Sequence, residues 1–175
     1  MLDLIIKNGS CYIDKDLKDQ DISIKNGKII KIGKIDEEAK EFFDAIGLTV
    51  LPGCIDTQTH FREPGSTDTE DLHSGSRAAI VGGITSVFEM PNTNPPTSTK
   101  AEFQKKLDLA KNRMYCNYAF YFGATADNAS ELADLINLEG CCGIKLFAGS
   151  STGNLLVAEE EDIEKVFQSS SKVVA

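Results

Sequence analysis

The sequence predicts an α/β protein in which a small antiparallel β-sheet precedes the first units of a parallel βα barrel. Three observations point there. β-rich runs crowd the first 50 residues, and two of them are joined by Asn26-Gly27, the strongest short-range hairpin signal. From Val50 onward, apolar runs of strand length alternate with helical stretches, as βα units around a parallel sheet require. Gly83 and Gly140 stand where helix C-caps belong.

Taken in order, residues 2–7, 20–25 and 28–32 read as strands of an N-terminal sheet spanning 1–50. Barrel strands are expected at 50–57, 84–90, 115–122 and 142–147. Helices fall near 69–82, 99–112, 128–139 and 159–170; in the second, Thr99 and Glu102 have capping-box spacing, with Phe103, Leu107 and Ala110 on one face. Lys172–Ala175 reads like the opening of a further strand. An eight-stranded barrel needs about 250 residues, so 51–175 holds about half of one.

At 41% hydrophobic and 26% charged, the 175 residues are ordinary for a packed globular chain. A net charge of -9 excludes a phosphate-backbone partner, which needs clustered Lys and Arg. No run approaches the roughly 18 apolar residues of a membrane span and no leader pattern opens the chain, so a cytoplasmic protein is expected. Five scattered cysteines without a C-x-x-C pair suggest small buried side chains rather than a zinc ribbon or disulfide framework.

Within Leu51–Gly65, LPGCIDTQTHFREPG, an apolar strand ends in polar residues at alternate positions, placing Asp56, Gln58, His60 and Arg62 on one face. The C-terminal ends of barrel strands are where active sites are built. Lys145, in Gly143–Phe147, is a charge on an otherwise apolar strand, which must be paired, snorkel to solvent or be chemically altered. Other candidates carry less: His73 reads as a helix-surface residue, 149–153 lacks the lysine of a phosphate loop, and Glu159–Asp162 suits a helix N-terminus.

LPGCIDTQTHFREPG resembles the opening metal motif of the amidohydrolase superfamily, in its dihydroorotase branch, which reads D-x-H-x-H-x-R-x-P-G. EDLHSGSRAAIVGGIT and MPNTNPP are similar to segments after the first two barrel strands of that branch, and KNGKIIKIG and GIKLFAGSSTGNLLV extend the likeness over essentially the whole chain. The resemblance implies a TIM-type (β/α) barrel of the metal-dependent hydrolase kind, truncated after about four βα units. It further implies two zinc ions bridged by a carbamylated Lys145, with His60 as a ligand. Gln58 stands where the first histidine ligand belongs, and its amide oxygen is a far poorer zinc donor than imidazole.

By the same resemblance, Arg62 and Asn92 hold the carboxylate of dihydroorotate, in keeping with the paired hydrogen bonds arginine offers a planar carboxylate. Read without it, Arg62 is a surface partner of Glu63 or Asp68, and Asn92 a turn residue before Pro95 and Pro96. The implied reaction is reversible hydrolysis of dihydroorotate to N-carbamoylaspartate in pyrimidine biosynthesis, by a protein expected to be a homo-oligomer at full length. Allantoinase and dihydropyrimidinase are alternatives within the class. A non-catalytic subunit partnering aspartate transcarbamoylase is the rival from outside it, favoured by Gln58. The histidines and aspartate that complete the family's site lie beyond these 175 residues, so the chain alone, with an open sheet edge, is expected to be inactive and poorly stable.

Overall fold

The computed structural model describes residues 1–151 and 154–175. It divides into two compact units, Met1–Pro52 and Gly53–Ala175. In the first, β1 (Leu2–Ile13), β2 (Asp16–Lys25) and β3 (Lys28–Gly33) form an antiparallel meander. Asn26 and Gly27, at φ 52° and 70°, make the two-residue turn, since asparagine tolerates and glycine freely adopts the left-handed conformation. Leu2 and Ile5 of β1 pack with Ile35, while Ile29, Ile30, Phe42 and Phe43 are exposed.

Two further strands, β4 (Ala39–Asp44) and β5 (Thr49–Val50), pair parallel to β1, so the sheet is mixed rather than purely antiparallel. Parallel partners arrive by a crossover and leave no hairpin signal, which is why nothing local in the sequence marks them.

The second unit runs β6 (Cys54–Thr59), α1 (Leu72–Val81), β7 (Ile84–Glu89), α2 (Lys100–Ala110), β8 (Asn117–Gly123), a 3-10 helix (Ala129–Asn137), β9 (Cys141–Lys145) and α3 (Glu160–Ser169). Its four strands pair in chain order, all parallel, as in part of a TIM-type barrel. Beside β9, Ile144 N donates to Val173 O at 2.8 Å and Ala175 N to Ile144 O at 2.9 Å, a parallel pairing at the end of the chain. The first barrel strand starts at Cys54 rather than residue 50, because Thr49 and Val50 pair with β1 instead.

Local chemistry sets the helix ends. Asp71 Oδ1 accepts from Ser74 N at 2.6 Å while the Ser74 hydroxyl accepts from Asp71 N at 3.1 Å, a reciprocal cap for α1. Thr99 Oγ1 accepts from Glu102 N at 3.1 Å to start α2. The stretch expected as a helix over 128–139 is instead 3-10, with i to i+3 bonds from Glu131 N to Asn128 O (2.9 Å) and Leu138 N to Leu135 O (3.0 Å). Leu132 and Leu135 are both buried at that threefold spacing. Asn128 cannot cap an α-helix because its side chain is bonded to Thr125 N and Gly123 O, each at 2.9 Å.

Phe103, Phe120 and Phe122 pack with Val87, Leu132, Leu135 and Ile144 in the core between the sheet and its helices. Lys106 shares the inward face of α2 with Phe103 and Ala110, and its ammonium is ion-paired with Glu89 at the end of β7, both residues being buried. Lys106 Nζ also donates to Met90 O at 3.0 Å and lies 5.2 Å from the Phe120 ring centroid. Burial pushes the Glu89 carboxyl up from 4.5 to about 7, against the opposing pull of Lys106, and pushes Lys106 down.

At a pH above 7, where Glu89 is ionised, Lys106→Ala strands a buried carboxylate and is expected to cost about 3–5 kcal/mol in urea unfolding, and Glu89→Leu combined with Lys106→Met far less. Because the native state holds the Glu89 proton between pH 4.5 and about 7 where the unfolded chain has lost it, this contribution to stability is full below 4.5 and declines as pH rises through 7. Glu89→Gln should flatten that decline in melting curves taken across the interval.

Candidate active site at the strand ends

The loops that follow β6 and β7 build this site. Asp56 and Gln58 alternate along β6, and Asp56 Oδ1 accepts from Gln58 N at 2.9 Å. The register then slips between Asp56 and Thr59, the strand ends at Thr59, and Arg62 sits at φ 60°. Strict alternation therefore does not carry through to His60 and Arg62, because the irregularity re-aims the chain that leaves the strand. Gln58 nevertheless lies in the C-terminal half of β6 and His60 and Arg62 beyond its end, while Asp56 sits at mid-strand.

The two loops are clasped together. Met90 N donates to Thr59 O at 2.9 Å, Asn94 N donates to Pro64 O at 2.9 Å, and His60 Nδ1 lies 2.8 Å from Asn92 Oδ1. Gly65, at φ +117°, lets the strands of the clasp approach: a Cβ there would sit 2.8 Å from Asn94 Cβ and 2.9 Å from Asn94 O.

Glu63 anchors the first loop. Buried to 7% exposure, it receives both Arg113 guanidinium nitrogens, at 2.8 and 3.1 Å, and Leu72 N, the first residue of α1, at 2.8 Å. Glu63 is the main reason the Arg113 pKa is raised, while the Ser74 amide and hydroxyl, more than Arg113, hold the Asp71 carboxyl below its usual value. Glu63 is thus taken, and Arg62 pairs with neither Glu63 nor Asp68 among the described residues. The exposed Arg62 instead lines a cavity of about 320 Å³ with Ser66, Asn92, Thr93 and Asn94. Its wall of guanidinium, hydroxyl and amide groups suits a carboxylate.

Lys145 ends β9 at the same end of the parallel sheet, half-buried, with Nζ 5.0 Å from the Phe147 ring centroid. No hydrogen bond or ion pair joins it to His60 or Gln58 among the described residues. No three His, Cys, Asp or Glu side chains converge there either. A zinc site takes four donors, mostly imidazole, thiolate or carboxylate. These residues offer one imidazole, one neutral amide and an amine that has no lone pair while protonated, so by themselves they do not fit a zinc ion.

His73 lies exposed on α1, where Nε2 is 3.2 Å from the Tyr115 hydroxyl. Of the loop at 149–153, Thr152 and Gly153 lie outside the described residues. All five cysteines are free, but the expectation of burial holds only for Cys11, Cys116 and Cys141; Cys142 is half-buried and Cys54 exposed, since it opens β6 at the sheet edge. No helix is long and apolar enough to cross a membrane among the described residues. Sequence reasoning missed Glu63, Arg113 and the Glu89–Lys106 pair, although Lys106, on an apolar helical stripe with Phe103 and Ala110, was a visible anomaly.

Parallel βα units with a polar cavity at the strand ends are the arrangement of part of an α/β barrel. The chain belongs to the amidohydrolase family, whose model matches residues 49–173. It is 40% identical over 162 residues to a dihydroorotase of Methanosarcina acetivorans, covering 91% of this chain and 34% of that relative. An allantoinase of Escherichia coli is also 40% identical, over 149 residues, covering 85% and 33%. The L-hydantoinase (dihydropyrimidinase) structure from Arthrobacter aurescens superposes with a TM-score of 0.87 at 31% identity, covering 96% of this chain and 38% of that one. The chain spans about a third of the length of the curated relatives it matches.

Glu63→Gln is expected to cost about 1–3 kcal/mol of folding stability, from the weakened charged hydrogen bonds. Gly65→Ala should cost a similar amount through its positive φ and the contact with Asn94. Gly149→Ala, which meets nothing within 4 Å, should stay within about 0.5 kcal/mol in the same chemical denaturation series.

Proposed function

We propose that this chain contributes the opening barrel strands of a cyclic-amide hydrolase of the dihydroorotase type, which interconverts dihydroorotate and N-carbamoylaspartate in the cytoplasm. The observation that supports it most is that Arg62 and Asn92 line one cavity. Identity does not choose within the class, since the dihydroorotase and the allantoinase are equally similar. Charge does. Dihydroorotate carries a ring carboxylate that Arg62 would hold, whereas allantoin and dihydrouracil carry none.

Amidohydrolases are generally metal-dependent, and metal would supply a Lewis acid for the amide carbonyl. His60 and Lys145 are the donors this chain would offer toward zinc, with Lys145 as carbamate and Gln58 as the weak position. We assign no acid or base to this chain: its own groups bind and orient the ring. The alternative, a non-catalytic subunit partnering aspartate transcarbamoylase, is favoured by one observation, the neutral amide of Gln58 in place of an imidazole.

The test is ring opening by the full-length, zinc-supplemented protein on dihydroorotate, allantoin and dihydrouracil. Dihydroorotate is expected to be preferred, and Arg62→Ala to lower its kcat/KM by about 10- to 100-fold, the worth of charged hydrogen bonds. Preference for a ring without a carboxylate would overturn the dihydroorotase reading. Activity appearing only in Gln58→His would establish the non-catalytic one.

A further inference from the structure

Of the two histidines in the chain, His60 has a partner that dictates where its proton sits. The Asn92 carboxamide oxygen lies 2.8 Å from His60 Nδ1. A carboxamide oxygen only accepts, so the ring nitrogen it meets must donate. We infer that Asn92 is a positioning residue for His60, fixing the neutral imidazole as the Nδ1–H tautomer with its lone pair on Nε2.

The contact is held from both sides. Thr59, immediately before His60, accepts from Met90 N at 2.9 Å, two residues before Asn92. Met90 O receives the buried Lys106 ammonium at 3.0 Å, and Pro91 O accepts from Thr93 N and Thr97 N, each at 2.9 Å. His60 and Asn92 are thereby fixed across a short hydrogen-bonded rung, and both are half-buried. Orientation of an imidazole through its second nitrogen is how proteins keep the first available as a donor to a ligand.

Asn92 has a second face. It lines the cavity with Arg62, and its NH2 group makes no hydrogen bond among the described residues. An anion taken up on that NH2 polarises the same amide whose oxygen holds His60, which couples occupancy of the cavity to the imidazole. The tautomer assignment rests on the His60–Asn92 contact and stands apart from the proposed reaction. The coupling deepens that proposal.

The experiment is long-range proton–nitrogen correlation NMR on the full-length protein labelled with nitrogen-15 histidine and freed of metal by chelation, since a metal on Nε2 would itself fix the tautomer, at about pH 8 where imidazole is neutral. The His60 signals are identified by their loss in His60→Gln. His60 is expected as the Nδ1–H form, shifting toward the Nε2–H form in Asn92→Ala and returning in Asn92→Asp, whose carboxylate also only accepts. His73, bonded to Tyr115, should not change and reports an intact fold. An Nε2–H His60 in the unaltered protein, or a tautomer indifferent to Asn92→Ala, would overturn the inference. No substrate is involved, so an Nδ1–H His60 in a protein that opens no cyclic amide would sustain this inference while removing the proposed function.

Discussion

Two backbone hydrogen bonds, Met90 N to Thr59 O and Asn94 N to Pro64 O, make one structure of the loops that leave β6 and β7. Irregular backbone at the end of a parallel sheet leaves donors and acceptors that must find partners. Here each loop satisfies the other. Everything the site offers follows from that clasp: the approach of His60 to Asn92, the close packing of Gly65 on Asn94, and the meeting of Arg62 and Asn92 around one cavity.

Buried charge then ties the clasp to the helices. Glu63 joins the first loop to the start of α1 and to Arg113 beyond α2, and Lys106 joins α2 to Glu89 and the Met90 carbonyl of the second. Apolar residues of the same volume would give comparable or greater stability, because desolvating two charges offsets most of their attraction. What the ion pairs add is direction. A leucine at 106 would fill the space without choosing which carbonyl sits above it.

Much of this was legible, for physical reasons that differ by element. Periodicity marked the parallel strands and α2, and Asn26-Gly27 marked the hairpin, because burial and turn geometry act on neighbouring residues. The parallel strands β4 and β5 were not marked, since their partners are distant in sequence. The stretch after Asn128 was expected as an α-helix and is 3-10, a difference of hydrogen-bond spacing that the apolar pattern of Leu132 and Leu135 does not reveal. At the site, the order of residues from Asp56 to Arg62 was readable, but the register slip after Asp56 was not, and it decides where His60 and Arg62 point. Glu63 was read as a surface neighbour of Arg62, although its partner lies 50 residues away.

The proposed function has one central claim, that the two loops whose Arg62 and Asn92 line one cavity act as a unit that would take a carboxylate. A double-mutant cycle of Arg62→Ala and Asn92→Ala on the affinity of the full-length protein for N-carbamoylaspartate tests it most directly. Residues gripping one carboxylate from a shared frame should show a coupling energy of at least about 1 kcal/mol, whereas independent sites add within about 0.3–0.5 kcal/mol. Additive losses, or affinity unaffected by either change, would contradict a single carboxylate site spanning the two loops.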